Sequence, residues 1–284
     1  MLEFAVYYRM RGCAMYQFFV NPAQIDVEKK TVWVTGTDVN HIRNVLRMKV
    51  GEELAVSNGQ DGREYRCAIR AFHDPDEDME ADSGGKGAKH NGGMGEACVE
   101  CELRFIKEDA VELPSKIYLF QGLPKADKLE LIIQKAVELG VYQVIPVETK
   151  RCVVKLVAKK AKAKTARWQQ IAEAAAKQSK RGIIPEVKEP CSFKKALEMT
   201  AGMDLKLIPY ELAEGMEKTR QLIESVKPGQ EIAVFIGPEG GFDEAEIEAA
   251  VGAGLEPITL GRRILRTETA PLAVLAWLGY RLEQ

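Results

Sequence analysis

Between Lys116 and the C-terminus, short apolar segments of strand length alternate with longer segments of helical periodicity. Such alternation predicts a parallel sheet with helices on both faces. The first helix opens at Pro124 and stops at Gly140. Its apolar stripe is Leu129, Ile132, Ile133, Ala136 and Val137. The predicted strands are 116–120, 141–145, 204–208, 232–236 and 257–260, and the later helices are 165–181, 216–226, 243–253 and 270–282.

Two glycine-bearing loops each follow a predicted strand and lead into a helix. They are Ile236-Gly-Pro-Glu-Gly-Gly-Phe-Asp243 and Leu260-Gly-Arg-Arg-Ile-Leu-Arg-Thr-Glu-Thr-Ala270, called here the first and second loops. Loops at neighbouring strand ends are where open α/β sheets form ligand pockets. Neither loop fits the dinucleotide or P-loop fingerprint, so the pocket is expected to hold another kind of ligand. Asp243 and Glu246 have capping-box spacing, which predicts a firmly held helix start.

The N-terminal part has a different rhythm. Its predicted strands, separated by turn residues, are 18–20, 31–34, 53–56, 65–69 and 97–106. One helix, 38–47, interrupts them, with Asp38 as the expected N-cap. This pattern is typical of a small β-barrel with one short helix. Residues 74–97 are Gly-rich with a local net charge of −5, which predicts a flexible insertion. The predicted domains are therefore 1–112 and 113–284.

Charge is unevenly distributed along the chain. The formal net charge is only −2, yet residues 150–181 contain eleven Lys and Arg against one acid, Glu173. A cluster of this density is the electrostatic footprint of a polyanion partner. The candidates for phosphate contact are Arg43, Arg47, Lys49, Lys150, Arg151, Arg167, Lys180 and Arg181.

Cysteine usage gives little support for a metal site. Cys98 and Cys101 form a lone C-x-x-C without a second half or a nearby His, so reduced thiols are expected and no metal is predicted. No apolar run reaches the length of a membrane span, and no signal peptide is visible. A cytoplasmic location is therefore expected. The first fourteen residues read as an alternative start or a loose extension.

Taken together, these segments resemble the RsmE family of small-subunit ribosomal RNA methyltransferases, within the SPOUT superfamily. The two loops mark SPOUT methyltransferases broadly. Other segments point to this family in particular: Tyr16-Gln-Phe-Phe-Val20, His41-Ile-Arg-Asn-Val-Leu-Arg-Met-Lys-Val-Gly51, Lys125-Ala-Asp-Lys128 and Ile133-Gln-Lys-Ala-Val-Glu-Leu-Gly140. Arg167-Trp168 and Gln178-Ser-Lys-Arg181 also match, although Lys177 stands where the family usually has an acid.

The resemblance implies a SPOUT-type catalytic domain with a C-terminal trefoil knot, and an N-terminal PUA-like β-barrel that binds RNA. It implies S-adenosylmethionine as cofactor, a homodimer, and methylation of N3 of the uracil at position 1498 of 16S ribosomal RNA, within the small ribosomal subunit. The expected cofactor-binding residues are Pro209, Tyr210, Gly237, Pro238, Glu239, Gly240, Leu260, Gly261, Ile264, Leu265 and Thr269.

The chemistry of uracil suggests two catalytic residues. N3 carries an imide hydrogen and is not nucleophilic until that proton leaves. A guanidinium aimed at the resulting anion would stabilise it. Arg266 is the candidate, because it lies between the second loop and the last helix. Glu268 could accept the proton or orient Arg266, or could simply be a charge at a helix N-terminus.

Two other functions remain open at this point. One is a non-catalytic RNA-binding protein with a degenerate α/β domain, which affinity for S-adenosylmethionine would separate. The other is a SPOUT methyltransferase acting on tRNA ribose, which mapping of the methylated nucleotide would separate.

Overall fold

The computed structural model describes residues 15–74, 96–108, 111–154, 156–213 and 215–284. The first fourteen residues, and nearly all of the predicted insertion at 74–97, lie outside the described residues. The chain divides into two compact units. One comprises Met1–Val111 with Lys180–Ile183, and the other comprises Glu112–Ser179 with Ile184–Gln284.

The N-terminal unit is built on a six-stranded sheet of order β1-β4-β5-β6-β3-β2. Strands β1 and β4 pair in parallel, and the other described neighbours are antiparallel. In β3, buried Val32 and Val34 alternate with partly exposed residues, as expected of a strand with one face on a core. The strands are β1 Gln17–Phe19, β2 Ile25–Asp26, β3 Thr31–Thr35, β4 Glu53–Ser57, β5 Glu64–His73 and β6 Cys98–Lys107, and a 3-10 turn spans Pro22–Gln24.

Two cysteines, Cys67 and Cys101, belong to the hydrophobic core of this sheet. Cys101 alternates inward on β6 and lies with Cys67 among the buried apolar side chains. Burial raises the pKa of each thiol to about 12, so both behave as small apolar groups rather than as ligands.

The predicted helix of this unit takes a different form in the structure. It begins as an α-helical turn, α1 (Thr37–Asn40), and continues as a π-helical turn over His41–Val45. Asp38 is not the N-cap: that position is held by Gly36, whose φ of 71° suits glycine. Asp38 lies instead in the first turn, where a negative charge favours the helix dipole.

The C-terminal unit contains a seven-stranded sheet in which the described pairings are all parallel. The main path is β10-β8-β7-β12-β11-β13, with β9 paired to β8. The predicted parallel sheet is thus confirmed, and the carboxyl ends of its strands share one edge. The strands are β7 Lys116–Gly122, β8 Gln143–Glu148, β9 Glu186–Val187, β10 Cys191–Ser192, β11 Leu205–Pro209, β12 Glu231–Ile236 and β13 Glu256–Ile258.

Helices of the same unit accompany this sheet. All five residues of the predicted stripe on the first of them are buried, which confirms that its apolar face packs inward. The helices are α2 Lys128–Glu138, α3 Ala158–Gln178, α4 Phe193–Met199, α5 Met216–Glu224, α6 Glu244–Gly252 and α7 Ala270–Leu282.

Several predicted boundaries are wrong by a few residues. Helix α3 begins seven residues earlier than expected, because the Ala- and Lys-rich stretch before Thr165 favours helix. It ends at Gln178, since Lys180 has a φ of 60° and leaves the helical region. The short strands β9 and β10 and helix α4 were not predicted. The Ser192 hydroxyl caps α4 by accepting from the Lys195 N–H, a local signal that was available.

Candidate cofactor and substrate pocket

A pocket of about 440 Å³ lies at the carboxyl edge of the parallel sheet. Its walls come from the loops that follow β11, β12 and β13. The predicted site residues that line it are Pro209, Tyr210, Gly237, Pro238, Glu239, Leu260, Gly261, Ile264, Leu265, Arg266 and Glu268. The fold therefore brings together most of the residues singled out for cofactor binding and both catalytic candidates.

Two predicted cofactor residues are not in the lining. A side chain at Gly240 would meet Arg151, whose Cβ is 3.3 Å from the position of an added Cβ. The Gly240 carbonyl also accepts a hydrogen bond from the Arg151 guanidinium at 3.0 Å. Thr269 stands at the N-cap of α7, with its backbone N–H bonded to the Arg266 carbonyl. Both residues support the loops from outside the pocket.

The first loop is fixed at its C-terminal end by contacts of Asp243. The predicted capping box is confirmed: the Glu246 carboxylate accepts from the Asp243 N–H at 2.9 Å, and Asp243 caps α6 in return. The Lys150 ammonium lies 2.9 Å from the Asp243 carboxylate. That hydrogen bond is the main cause that lowers the pKa of Asp243. Lys150 and Arg151, proposed from sequence as phosphate ligands, thus hold the first loop.

A lysine connects the first loop to the second. The Lys128 ammonium lies 2.9 Å from a Glu239 oxygen and 3.4 Å from a Glu268 oxygen. These contacts raise the pKa of Lys128, with the Glu239 hydrogen bond contributing most. Burial raises the pKa of Glu239, but hydrogen bonds from Lys128 and from backbone N–H groups outweigh it, so the net pKa is lowered. The Glu268 oxygen nearest Lys128 is buried and accepts no hydrogen bond from the described part of the chain.

A buried hydrogen-bond relay closes the inner end of the pocket. The Gln121 side-chain amide, at the end of β7, donates to the Thr267 hydroxyl at 3.1 Å. That hydroxyl donates to the Gly237 carbonyl at 2.7 Å. Nearby, the backbones pack too closely for a side chain: a Cβ at Gly122 would lie 2.6 Å from Pro238. Thr267 therefore joins the second loop to the first.

Sequence reasoning assigned no role to Lys128, Gln121 or Thr267. A polar residue that ends an apolar strand was a visible signal for Gln121, and the Lys125-Ala-Asp-Lys128 motif was one for Lys128. Which groups these side chains meet depends on segments more than a hundred residues away, so their partners could not be predicted locally.

The arginines of the second loop contrast with this network. Arg262, Arg263 and Arg266 are all exposed and line the pocket. Within the described residues, none of the three makes a side-chain hydrogen bond or ion pair. Ile264 between them is 86% exposed.

The predicted phosphate ligands on α3 and just after it differ in exposure and in their partners. Arg167 is exposed and ion-paired with Glu130 at 2.8 Å. Lys180 is exposed. Arg181, also predicted to contact phosphate, is buried instead and is only 3% exposed. Its carbonyl accepts from the Gln17 side chain at 2.9 Å, as the segment Lys180–Ile183 packs within the N-terminal unit.

In the N-terminal unit, the predicted phosphate ligands lie at and just beyond the helical turns. Arg43 forms a two-pronged ion pair with Asp74, one contact at 2.9 Å, and its guanidinium lies over the Phe72 ring. Arg47 and Lys49 are exposed. Arg43 thus already has an anionic partner in this structure.

Metal ligands and membrane spans are both missing from the described residues. No group of three or more His, Cys, Asp or Glu side chains is arranged there to hold a metal ion. No helix in that part of the chain is both long and apolar enough to cross a membrane.

Family models match both units. A model of an RNA methyltransferase domain matches residues 111–279, and a model of an RNA methyltransferase PUA domain matches residues 34–71.

Proteins of known name align over nearly the whole chain. Ribosomal RNA small subunit methyltransferase E of Bacillus subtilis is 35% identical over 95% of this chain and 98% of its own length. The protein of the same name from Synechocystis is 31% identical over 94% of this chain and 78% of its own. The crystal structure of Ribosomal RNA small subunit methyltransferase E from Neisseria gonorrhoeae bound to S-adenosyl methionine superimposes with a TM-score of 0.71. It is 30% identical and covers 92% of this chain and 95% of that one.

Proposed function

Because this chain belongs to the ribosomal RNA small subunit methyltransferase E family, we propose that it methylates N3 of a uracil in 16S ribosomal RNA, with S-adenosylmethionine as methyl donor. The observation that carries this proposal is the pocket at the sheet edge. There Arg266, whose guanidinium has no partner in the described residues, and Glu268, which has one carboxylate oxygen without a hydrogen bond from those residues, line one cavity.

The pocket fits the cofactor in size and in chemistry. Its volume of about 440 Å³ falls in the range of small-molecule sites. The lining offers apolar side chains such as Leu260 and Leu265, and backbone groups at Gly237 and Gly261. Gly261 has a φ of 101°, a conformation that few other residues adopt, and it leaves the backbone open to a ligand. The related Neisseria protein is described as bound to the same cofactor.

S-adenosylmethionine supplies an electrophilic methyl group on its sulfonium sulfur when bound. The residues of the pocket then have to make uracil N3 nucleophilic and to align it. We assign to Arg266 the stabilisation of negative charge on N3 and the flanking carbonyl oxygens, since its guanidinium has no competing anion in the described residues.

Glu268 is assigned the role of proton acceptor for N3–H. Glu268 lines the pocket, and its carboxylate is not saturated, because one of its oxygens accepts no hydrogen bond from the described residues. Lys128, 3.4 Å away, and the neighbouring Thr267 relay hold the segment that carries it. Alignment of N3 with the methyl group then supplies much of the rate, as in other reactions between held partners.

The setting of the reaction is part of the same proposal. The N-terminal unit is proposed to bind RNA, which the PUA family match supports. The family resemblance is the basis for four further parts of the proposal: a C-terminal trefoil knot, a homodimer, action within the small subunit and a cytoplasmic location. Exposed Arg47, Lys49, Lys180 and Arg167 remain proposed phosphate contacts, whereas Arg181 is no longer among them because it is buried.

The test is to map the product. Small subunits and 16S RNA lacking the modification would each be incubated with the protein and S-adenosylmethionine, digested, and analysed by mass spectrometry. We expect one N3-methyluridine in 16S RNA. A methyl group on tRNA or on ribose would overturn the substrate assignment. Binding of RNA without binding of S-adenosylmethionine would overturn the enzymatic assignment.

A further inference from the structure

The mouth of the pocket carries positive charge that the described residues do not neutralise. Arg262 and Arg263 are adjacent, exposed and part of the lining, and neither has a side-chain partner in that part of the chain. Other exposed cations of the same unit, such as Arg167 and Arg220, do have carboxylate partners, at 2.8 and 3.1 Å.

The carboxylates around the pocket do not compensate this charge. Glu239 and Glu268 lie beside Lys128, which already balances part of their charge. Glu211, on the loop after β11, also lines the pocket, yet among the described residues it makes no ion pair with Arg262 or Arg263. The two guanidiniums therefore add uncompensated positive charge to the lining, and an anionic ligand with several oxygens could pair with it.

We infer that Arg262 and Arg263 bind the phosphodiester groups on either side of the uridine whose base enters the pocket. This inference rests on the proposed function. An enzyme that modifies a base must take it out of its stack, and the backbone flanking that nucleotide then runs across the mouth of the site. Guanidiniums are suited to phosphate because their planar donors can make two parallel hydrogen bonds.

The inference divides the labour among the three arginines of the second loop. Arg266 acts on the base. Arg262 and Arg263 bind the RNA backbone, and these contacts do not depend on which bases flank the uridine. Holding the backbone on both sides would add binding free energy to the complex with RNA, while the pocket lining orients the base. Binding of RNA should therefore depend on the pair, and the chemical step on Arg266.

The experiment compares two double variants that each remove two positive charges. Arg262→Gln with Arg263→Gln removes the proposed phosphate ligands, and Lys218→Gln with Arg220→Gln removes two exposed, ion-paired cations of α5. Affinity for a labelled fragment of 16S RNA would be measured by fluorescence anisotropy over a series of salt concentrations. S-adenosylmethionine affinity would be measured by calorimetry, and circular dichroism would verify folding.

We expect the slope of log affinity against log salt to fall by roughly one for each phosphate that is no longer neutralised, thus by about two in the Arg262 and Arg263 variant. KM for RNA should rise, while kcat at saturating RNA and the affinity for S-adenosylmethionine change little. The α5 variant should keep the wild-type slope.

Three results would decide against the inference or separate it from the proposed function. Equal slopes in wild type and the Arg262 and Arg263 variant would overturn it, even with methylation of 16S RNA established. Loss of S-adenosylmethionine affinity with an unchanged slope would identify the anion as the cofactor carboxylate and would also overturn it. The expected change of slope in a protein that transfers no methyl group would instead overturn the proposed reaction and leave the phosphate contacts standing.

Discussion

The two loops that form the pocket are held in different ways. In the first loop, Glu239 and Asp243 each meet a lysine, and the backbone at Gly240 is fastened to Arg151. The second loop is fastened near its ends, by Thr267 at one side and by Thr259, which exchanges hydrogen bonds with Thr219, at the other. Its middle carries exposed arginines without partners in the described residues.

This difference suggests a division of roles. The carboxylates of the first loop are already paired with lysines, so this loop offers a ligand its shape and its backbone groups rather than charge. A wall whose guanidiniums lack partners in the described residues keeps its charge available for an anionic ligand. Four predictions test this contrast, beginning with the largest expected effect.

Arg266→Lys should lower kcat by roughly a hundredfold or more, comparable to the loss of one oxyanion donor. Lysine keeps the charge but lacks the planar fork that can span N3 and a carbonyl oxygen. Single-turnover kinetics at saturating RNA and cofactor would measure the effect, with cofactor affinity from calorimetry as control. Near-normal kcat would exclude Arg266 as the anion stabiliser. Joint loss of kcat and cofactor binding would make it a wall residue.

Thr267→Val should destabilise the C-terminal unit by about 1–3 kcal/mol, the range for leaving buried polar groups without partners. It removes the hydroxyl that accepts from Gln121 and donates to Gly237, and Thr267 is 5% exposed. Cofactor affinity should fall with it, because the two loops lose their inner connection. Thr267→Ser keeps the hydroxyl and should restore most of both quantities. A larger loss in the Ser variant than in the Val variant would show that the methyl group, not the relay, matters.

Lys128→Met should reduce kcat by a smaller factor, below roughly tenfold, because exposed ion pairs contribute little free energy. The Lys128 side chain is 31% exposed. The variant removes the ammonium between Glu239 and Glu268 while keeping most of the side-chain length. Lys128→Arg retains the charge and should recover activity. If the Met variant keeps full kcat over the whole pH profile, Lys128 does not position Glu268.

The smallest effect concerns acid stability of the first loop. The pKa values of Glu239 and Asp243 lie below their ordinary values of 4.5 and 3.8. A carboxylate with a lowered pKa in the folded state contributes stability that is complete above its ordinary pKa and is lost as the pH falls through the lowered value. Hydrogen exchange of the first loop, corrected for the intrinsic rate, should therefore accelerate as the pH drops below about 4.

The second loop serves as the internal comparison for that measurement. Its arginines keep their charge at every pH in the range, so its middle should show no matching transition. Lys150→Met should weaken the effect at Asp243, because the hydrogen bond from Lys150 is the main cause of its lowered pKa. An unchanged transition in that variant would assign the protection to the capping box alone.

Much of the fold could be predicted from local patterns. The apolar stripe of α2 and the alternation of strands and helices were sufficient for the parallel sheet, because burial of one helix face and of whole strands leaves a periodic record. Errors occurred where local preferences compete. At α3, the Ala- and Lys-rich stretch before Thr165 favours helix, so the helix starts earlier than predicted. At α1, Gly36 takes the N-cap position that was predicted for Asp38.

The charged residues mark the limit of sequence reasoning. In the sequence, Arg151, Arg181 and Arg263 are equally basic, and charge density alone made Arg151 and Arg181 candidates for phosphate. Arg151 instead holds Gly240, Arg181 is buried, and Arg263 is exposed at the pocket. A side chain's counterion depends on which distant segment packs beside it, and no local pattern records that.

The sequence by itself therefore determined the class of fold, the two loops at the sheet edge and the family to which the chain belongs, because these depend on periodicity and on short motifs. Only the tertiary structure decided which cations of the described residues lack partners, which carboxylate has an unsatisfied oxygen, and that Gln121 and Thr267 join the loops. Those properties arise where β7, β12 and the start of α7 converge, between residues as much as 146 positions apart, and they follow from desolvation and pairing in three dimensions.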